Sequence, residues 1–349
     1  MEGYLLFLVD LTTRATVLLL AALILTLLMR RATAALRHAT WALALGGILA
    51  LPFLVFLLPR WPLPVLSRGV SPVTEVVGPV NGTPSAIPPV AVPATRKPHA
   101  SSGRATPSAR GPEKPRKHER GDASALTGPA PGQPRPGFWS PVLLGLWVLG
   151  GLLFAIRLLR GLGGAAGLVR RARVPKDASC QQILAEVGTA TGLRRPVSLR
   201  LSSEIPGPLT WGLLHPVVLL PVDVQEWSLA KRRTVLIHEL SHVRRMDCAV
   251  QLLGCVAMVL YWFHPLVWLA KRRLHLEQER ACDDAVVALG CRPSDYAGHL
   301  MEVSRSFRPA QLPAPVATAV ATPSELMARM TYLLDNGRVR GGLSRFARV

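Results

Sequence analysis

The sequence predicts a membrane protein in which N-terminal transmembrane helices lead into a cytoplasmic α+β domain with a small sheet. Three observations carry that expectation. Of the 349 residues 49% are apolar and the mean hydropathy is +0.29, above that of an ordinary soluble enzyme. Runs long enough to cross a bilayer stand before residue 160, and strand and helix patterns alternate only beyond residue 165. The charge of +20, from 41 Lys+Arg against 21 Asp+Glu, would suit a nucleic-acid binder. A soluble basic domain does not carry runs such as Val17 to Met29 or Trp41 to Leu58, so membrane lipid is the expected partner and direct nucleic-acid binding is not expected. Cys180, Cys248, Cys255, Cys282 and Cys291 are odd in number and none pair at C-x-x-C spacing, which reads as reduced thiols facing the cytoplasm.

The first apolar stretch, Tyr4 to Met29, holds Asp10 and Arg14 one helical turn apart, an interfacial ion pair. Glu2 precedes the run and Arg30 and Arg31 follow it, the reverse of a cleaved signal peptide. Trp41 to Leu58 is the second span. The loop between the two carries Arg30, Arg31 and Arg37, which puts it on the cytoplasmic side and the N-terminus outside. Residues 1–59 are thus two transmembrane helices. Residues 60–138 are rich in Pro, Ala, Gly, Ser and Thr without apolar periodicity, a disordered external segment. Residues 139–160 are the third span, and Arg157, Arg160, Arg170, Arg171 and Arg173 bring the rest of the chain into the cytoplasm. Gly161, Gly163, Gly164 and Gly167 miss the dinucleotide-loop spacing and read as a hinge.

In the domain at 165–335, Ser179 to Gly192 has helical spacing, Val197 to Ser202 alternates like an edge strand, and Trp211 to Pro221 reads as a second strand. A long helix starts near Ser228, a plausible N-cap, and runs through Met246. Residues 336–349 form a basic tail.

That helix holds His238-Glu239-Leu240-Ser241-His242, the H-E-x-x-H pattern, in which two imidazoles one turn apart point the same way and can share a Zn²⁺ ion. Catalytic zinc needs a third protein ligand. Glu279 is the best candidate, with Asp283 one turn further along the same face to orient a ligand histidine; His275, Glu277 and Cys282 compete for the role. The apolar run Ala249 to Ala270 looks like a fourth span. A full crossing at about 1.5 Å per residue would leave His242 and Glu279 on opposite sides of the membrane. A shared metal therefore requires a turn, expected at Tyr261-Trp262-Phe263-His264-Pro265, with its tip at the membrane interface or in a buried corner.

The segments Pro208 to Pro221, Leu236 to Asp247, Tyr261 to Leu269 and Glu279 to Asp284, following three spans, resemble the BlaR/MecR family of membrane metallopeptidases, the antibiotic-sensing signal transducers. The resemblance implies a zincin metallopeptidase domain, with His238, His242 and Glu279 as zinc ligands, Glu239 as catalytic base and Ser324 to Leu334 as the closing helix. The sensors continue into a fourth span and an external penicillin-binding domain. This sequence ends shortly after Arg345 with neither, so direct β-lactam sensing is not expected.

Peptide hydrolysis fits this chemistry, with Glu239 taking the proton of the attacking water. Tyr296, His299 and His275 are candidates for the oxyanion donor, and the Trp211 to Pro221 strand could pair with an extended substrate. The expected role is a regulated signal transducer in a bacterial-type cytoplasmic membrane that cleaves a cytoplasmic DNA-binding repressor. Cleavage of its own chain, in the exposed Pro/Ala-rich stretch Ser304 to Pro323, is a further reading. The alternatives are a constitutive quality-control metalloprotease and a catalytically silent receptor whose zinc is structural; an intact Glu239 speaks against the last.

Overall fold

The computed structural model describes residues 2–57, 139–305 and 323–335. The Pro-rich segment, residues 306–322 and the basic tail, on which several of the sequence expectations fall, lie outside the described residues. What is described is mostly helical with one small sheet.

Helices α1 (Glu2–Leu28), α2 (Ala34–Leu57) and α3 (Trp139–Arg171) are each long and apolar enough to cross a membrane. Asp10 and Arg14 pair at 2.8 Å on the open face of α1. The expected hinge is absent: α3 runs unbroken through Gly161, Gly163, Gly164 and Gly167. Each glycine costs a helix up to about 1 kcal/mol. Packing of Leu168 and Ala172 against Ile205, Val217 and Leu219 offsets that cost and keeps the segment helical.

Helix α4 (Ala178–Ala190) opens on Asp177, whose carboxylate accepts the Ser179 amide at 2.8 Å. The sheet has the order β1-β3-β2, with β1 (Ser198–Ser202) parallel and β2 (Leu209–Trp211) antiparallel to β3 (Val217–Pro221). The single strand expected over Trp211 to Pro221 is thus a hairpin. Its turn needs Gly212, at φ +103°, where a Cβ would meet the carbonyl oxygen of His215 at 2.5 Å. Ile183 and Val187 of α4, Val218 and Leu220 of β3, and Leu236 and Leu240 of the next helix form one apolar core.

Helix α5 (Leu229–Arg244) starts where Ser228 caps the Lys231 amide. It stops short of the expected end, because Met246 is left-handed (φ 56°) and redirects the chain into α6 (Asp247–Leu260). At 14 residues α6 is about 21 Å long, too short for a hydrocarbon core of about 30 Å. The chain turns at Tyr261 to His264, and Pro265 opens α7 (Pro265–Ala288) at a position where its missing N–H costs nothing. The tip is packed among the apolar helices: Tyr261 donates to the Ile48 carbonyl at 2.9 Å, Trp262 to the Trp147 carbonyl at 3.1 Å, and His264 lies 3.0 Å from the Thr16 hydroxyl. The approach to α3 is close enough that a Cβ on Gly150 would strike the Trp262 ring at 2.1 Å. Leu19, Trp41, Leu45 and Ile48 share a second core with Val267, Ala270 and Leu274 of α7. Helices α8 (Pro293–Arg305) and α9 (Pro323–Leu334) complete the described chain.

Candidate metal centre

Residues Thr234 to Val243 of α5 are all buried, which places His238, Glu239 and His242 at the packed junction with α7. Four-residue spacing turns both imidazoles the same way, and their Nε2 atoms stand 3.2 Å apart. Glu279, on α7, completes a triangle: its carboxylate oxygens lie 3.4 Å from His238 Nε2 and 3.5 Å from His242 Nε2. A tetrahedral ion with ligand bonds of about 2.0–2.2 Å sets its donors about 3.3–3.6 Å apart. Two imidazoles and one carboxylate at these separations fit a zinc-type ion, with a fourth position left for water.

The competing side chains are engaged elsewhere. Glu277 binds the Arg37 guanidinium at 2.7 and 2.9 Å. His275 Nδ1 faces the Gln251 amide at 3.1 Å. Cys282 stands with Asp247 on the far side of His242, its Sγ 3.3 Å from Nδ1. Burial pushes that thiol well above its ordinary value, and the Sγ lies on the Nδ1 side of His242, away from the two Nε2 atoms.

Behind the triangle lies a shell of buried hydrogen bonds. The Tyr296 hydroxyl is 2.8 Å from His238 Nδ1 and donates to Asp283 at 2.6 Å. Asp283, expected to orient a histidine, is 3.4 Å from His238 Nδ1 and reaches it chiefly through this hydroxyl. Tyr296 is therefore turned away from the Nε2 side, where an oxyanion would form; His275 and His299 line the cavity beside the triangle. Arg329 of α9 donates twice to Asp283, at 2.6 and 3.0 Å, and its third nitrogen stands 2.9 Å from Glu279. Burial raises the Asp283 carboxyl, but the charge of Arg329 and the hydrogen bonds from His238 and Arg329 outweigh it and bring the group down to about 2. Burial acts against Glu279 in the same way, and Arg329, His242 and His238 hold it well below the usual range, in the ionised form that a metal requires. Burial lowers His238, and its hydrogen bonds to Asp283 and Glu279 reverse that, lifting it to about 9.

Three members of this group escaped sequence reasoning. Asp247 accepts from His242 Nδ1 at 2.8 Å, Arg329 clamps the two acids of α7, and Thr210 of β2 donates to Glu239 Oε2 at 2.7 Å. Only Asp247 had a local signal, an acid close behind the second histidine, and its use depends on the left-handed Met246. The triangle opens on a cavity of about 1010 Å³, lined on one wall by β2 and on another by Leu158, Leu162 and Val169 of α3. The outer edge of β2 is unpaired among the described strands.

Apolar helices of membrane-crossing length, joined in one unit with a His/His/Glu triangle, define a membrane protein with a candidate metal centre. Residues 6–333 match the family described as BlaR1 peptidase M56, and the chain belongs to that family. A stretch of 91 residues, 26% of this chain, is 37% identical to the regulatory protein BlaR1 of Bacillus licheniformis, of which it covers 15%. A stretch of 149 residues, 42% of this chain, is 23% identical to the methicillin resistance mecR1 proteins of Staphylococcus aureus and Staphylococcus epidermidis, covering 25% of each. The chain thus spans a minor part of the length of the curated relatives it matches.

Proposed function

We propose that this chain is an integral-membrane zinc endopeptidase, a regulated signal transducer that cleaves a cytoplasmic transcriptional repressor and, as a second substrate, its own chain. The observation that carries the proposal is the triangle of His238, His242 and Glu279 donors beside the Glu239 carboxylate. Membership of a peptidase family supports it, as do the regulatory and resistance names of the relatives. In this reading the N-terminus is external and the α4–α9 part cytoplasmic.

His238, His242 and Glu279 would hold the ion, and Zn²⁺ supplies a Lewis acid that polarises the scissile carbonyl and acidifies water. Glu239, buried and steadied by the Thr210 hydroxyl at 2.7 Å, takes a proton from the attacking water as the carbon–oxygen bond forms. It then hands that proton to the leaving amine as the carbon–nitrogen bond breaks. The open edge of β2 can pair with an extended peptide and carry it past Glu239. Asp247, and Asp283 through Tyr296, fix the two imidazoles so that Nε2 of each points toward the other and toward Glu279, where an ion would be held.

The test uses purified full-length protein in detergent, loaded with zinc and given an unstructured peptide mixture. Cleavage by the wild type and none by Glu239→Gln at equal zinc content is the expected result. No cleavage by either protein would leave a structural zinc and a silent receptor, and equal cleavage by both would remove Glu239 as the base.

A further inference from the structure

The foot of α2 touches both of the elements that frame the metal centre. Arg37 and His38, in its second turn, are both buried. Arg37 grips Glu277 on α7, two residues before Glu279, with contacts of 2.7 and 2.9 Å. The same guanidinium reaches back to the carbonyls of Arg30 and Ala32, which tie it to the connection between α1 and α2. His38 points the other way. Its Nε2 stands 4.0 Å from Asp247 Oδ1 and has no hydrogen-bond partner among the described residues, while Oδ1 stands 3.3 Å from Arg245 Nε. The second oxygen of that carboxylate accepts from His242 Nδ1 at 2.8 Å.

These contacts lie at one end of a long packed seam, since Leu45 and Ile48 of α2 share a buried core with Val267, Ala270 and Leu274 of α7. A seam of this kind moves by about 1–2 Å when helices shift against one another. A displacement of about 1 Å closes the His38–Asp247 gap to hydrogen-bonding distance. The carboxylate that orients His242, already paired with Arg245, then gains a further partner. A buried imidazole nitrogen without a hydrogen-bond partner among the described residues thus faces, just out of reach, the carboxylate that steadies a ligand histidine.

We infer that α2 governs the metal centre: Arg37 and His38 are positioning residues that act on the ligands through Glu277 and Asp247, so that a shift of α2 in the membrane changes how the ion is held. This deepens the zinc-peptidase reading and rests on it, because it names the route by which a membrane-side event reaches the site.

The experiment takes the full chain in detergent and measures the zinc dissociation constant by chelator competition, the visible spectrum of the Co²⁺ form, and the thermal midpoint. His38→Phe keeps a ring and removes the nitrogen, while His38→Gln restores an N–H donor. Arg37→Met with Glu277→Met removes both buried charges together, with the Arg280 contact to Glu277 at 2.9 Å lost as well. Leu43→Ala, on the exposed side of α2, is the control. His38→Phe and the double variant should each weaken zinc about 3- to 10-fold, toward the effect of losing a direct supporting partner, and shift the Co²⁺ bands. His38→Gln and Leu43→Ala should stay at wild-type values. Should the double variant fail to accumulate, the His38 pair carries the test. Wild-type affinity and an unchanged Co²⁺ spectrum in His38→Phe would overturn the coupling while leaving the zinc site in place, as would an equal loss in Leu43→Ala. A wild-type protein that binds no zinc would overturn the metal reading itself.

Discussion

Asp247 holds His242 across a helix break: its carboxylate accepts from Nδ1 at 2.8 Å, and the left-handed Met246 between α5 and α6 brings it there. That bond fixes the tautomer in which Nε2 carries its lone pair toward His238 and Glu279. Asp247→Asn should weaken zinc binding by about 10- to 100-fold with the ligands intact. Titration against a chelator measures it, and unchanged affinity would mean that His242 needs no such support.

The ligand triangle itself makes a sharper demand. His238→Ala and Glu279→Ala should each lower zinc content well below one per chain, because a site already open at one position cannot lose a second. Elemental analysis of the purified variants reads this directly. Full zinc in Glu279→Ala with loss in His275→Ala would transfer the third ligand to His275.

Asp283 and Arg329 are paired where water does not reach, at 0% and 7% side-chain exposure. Removing Asp283 leaves Arg329 buried with Glu279 as its remaining acid, and breaking a buried pair of this kind costs about 3–5 kcal/mol. Asp283→Ala should therefore lower stability as well as zinc affinity. Asp283→Ala with Arg329→Met should recover much of the stability and not the affinity. Denaturation curves beside zinc titrations separate the two effects.

Glu239→Gln should keep zinc and lose turnover, since an amide occupies the same space and accepts no proton. In cells this variant should leave the repressor and the chain itself uncut after the inducing signal. Unchanged fragment patterns on a blot would remove the signalling-protease reading.

The topology offers an independent check. A labelling site placed after Pro293 should report the same side of the membrane as one at residue 175, because α6 is too short to cross and the chain returns at Pro265. Opposite sides would be incompatible with one metal shared by α5 and α7.

Local chemistry explains which parts of this were readable. Ser228 announced α5 and Pro265 announced α7 because a cap and a helix-opening proline act on their own neighbours. The turn at Tyr261 followed from requiring His242 and Glu279 to meet. The end of α5 was not readable: nothing in Arg245-Met246-Asp247 favours the left-handed conformation that Met246 adopts. The hairpin at Gly212 was hidden because Leu213 and Leu214 continue an apolar run, although both are exposed in the turn. Arg329 lies 46 residues beyond Asp283, and no sequence rule links an arginine to an acid at that distance.

Helix α7 carries Glu279 in its C-terminal half and, in its N-terminal half, buries Val267, Ala270 and Leu274 against α1 and α2. Half of its length is covered by helices long and apolar enough to cross a membrane. Cutting the chain at residue 165 to obtain a soluble enzyme would leave α6 and α7 with an uncovered oily flank and would strip Glu277 of Arg37. Such a fragment should aggregate in detergent-free buffer, and co-expression of residues 1–59 should rescue it. For this chain the long apolar helices are part of what holds the candidate metal centre together, and its biochemistry has to be done with them attached.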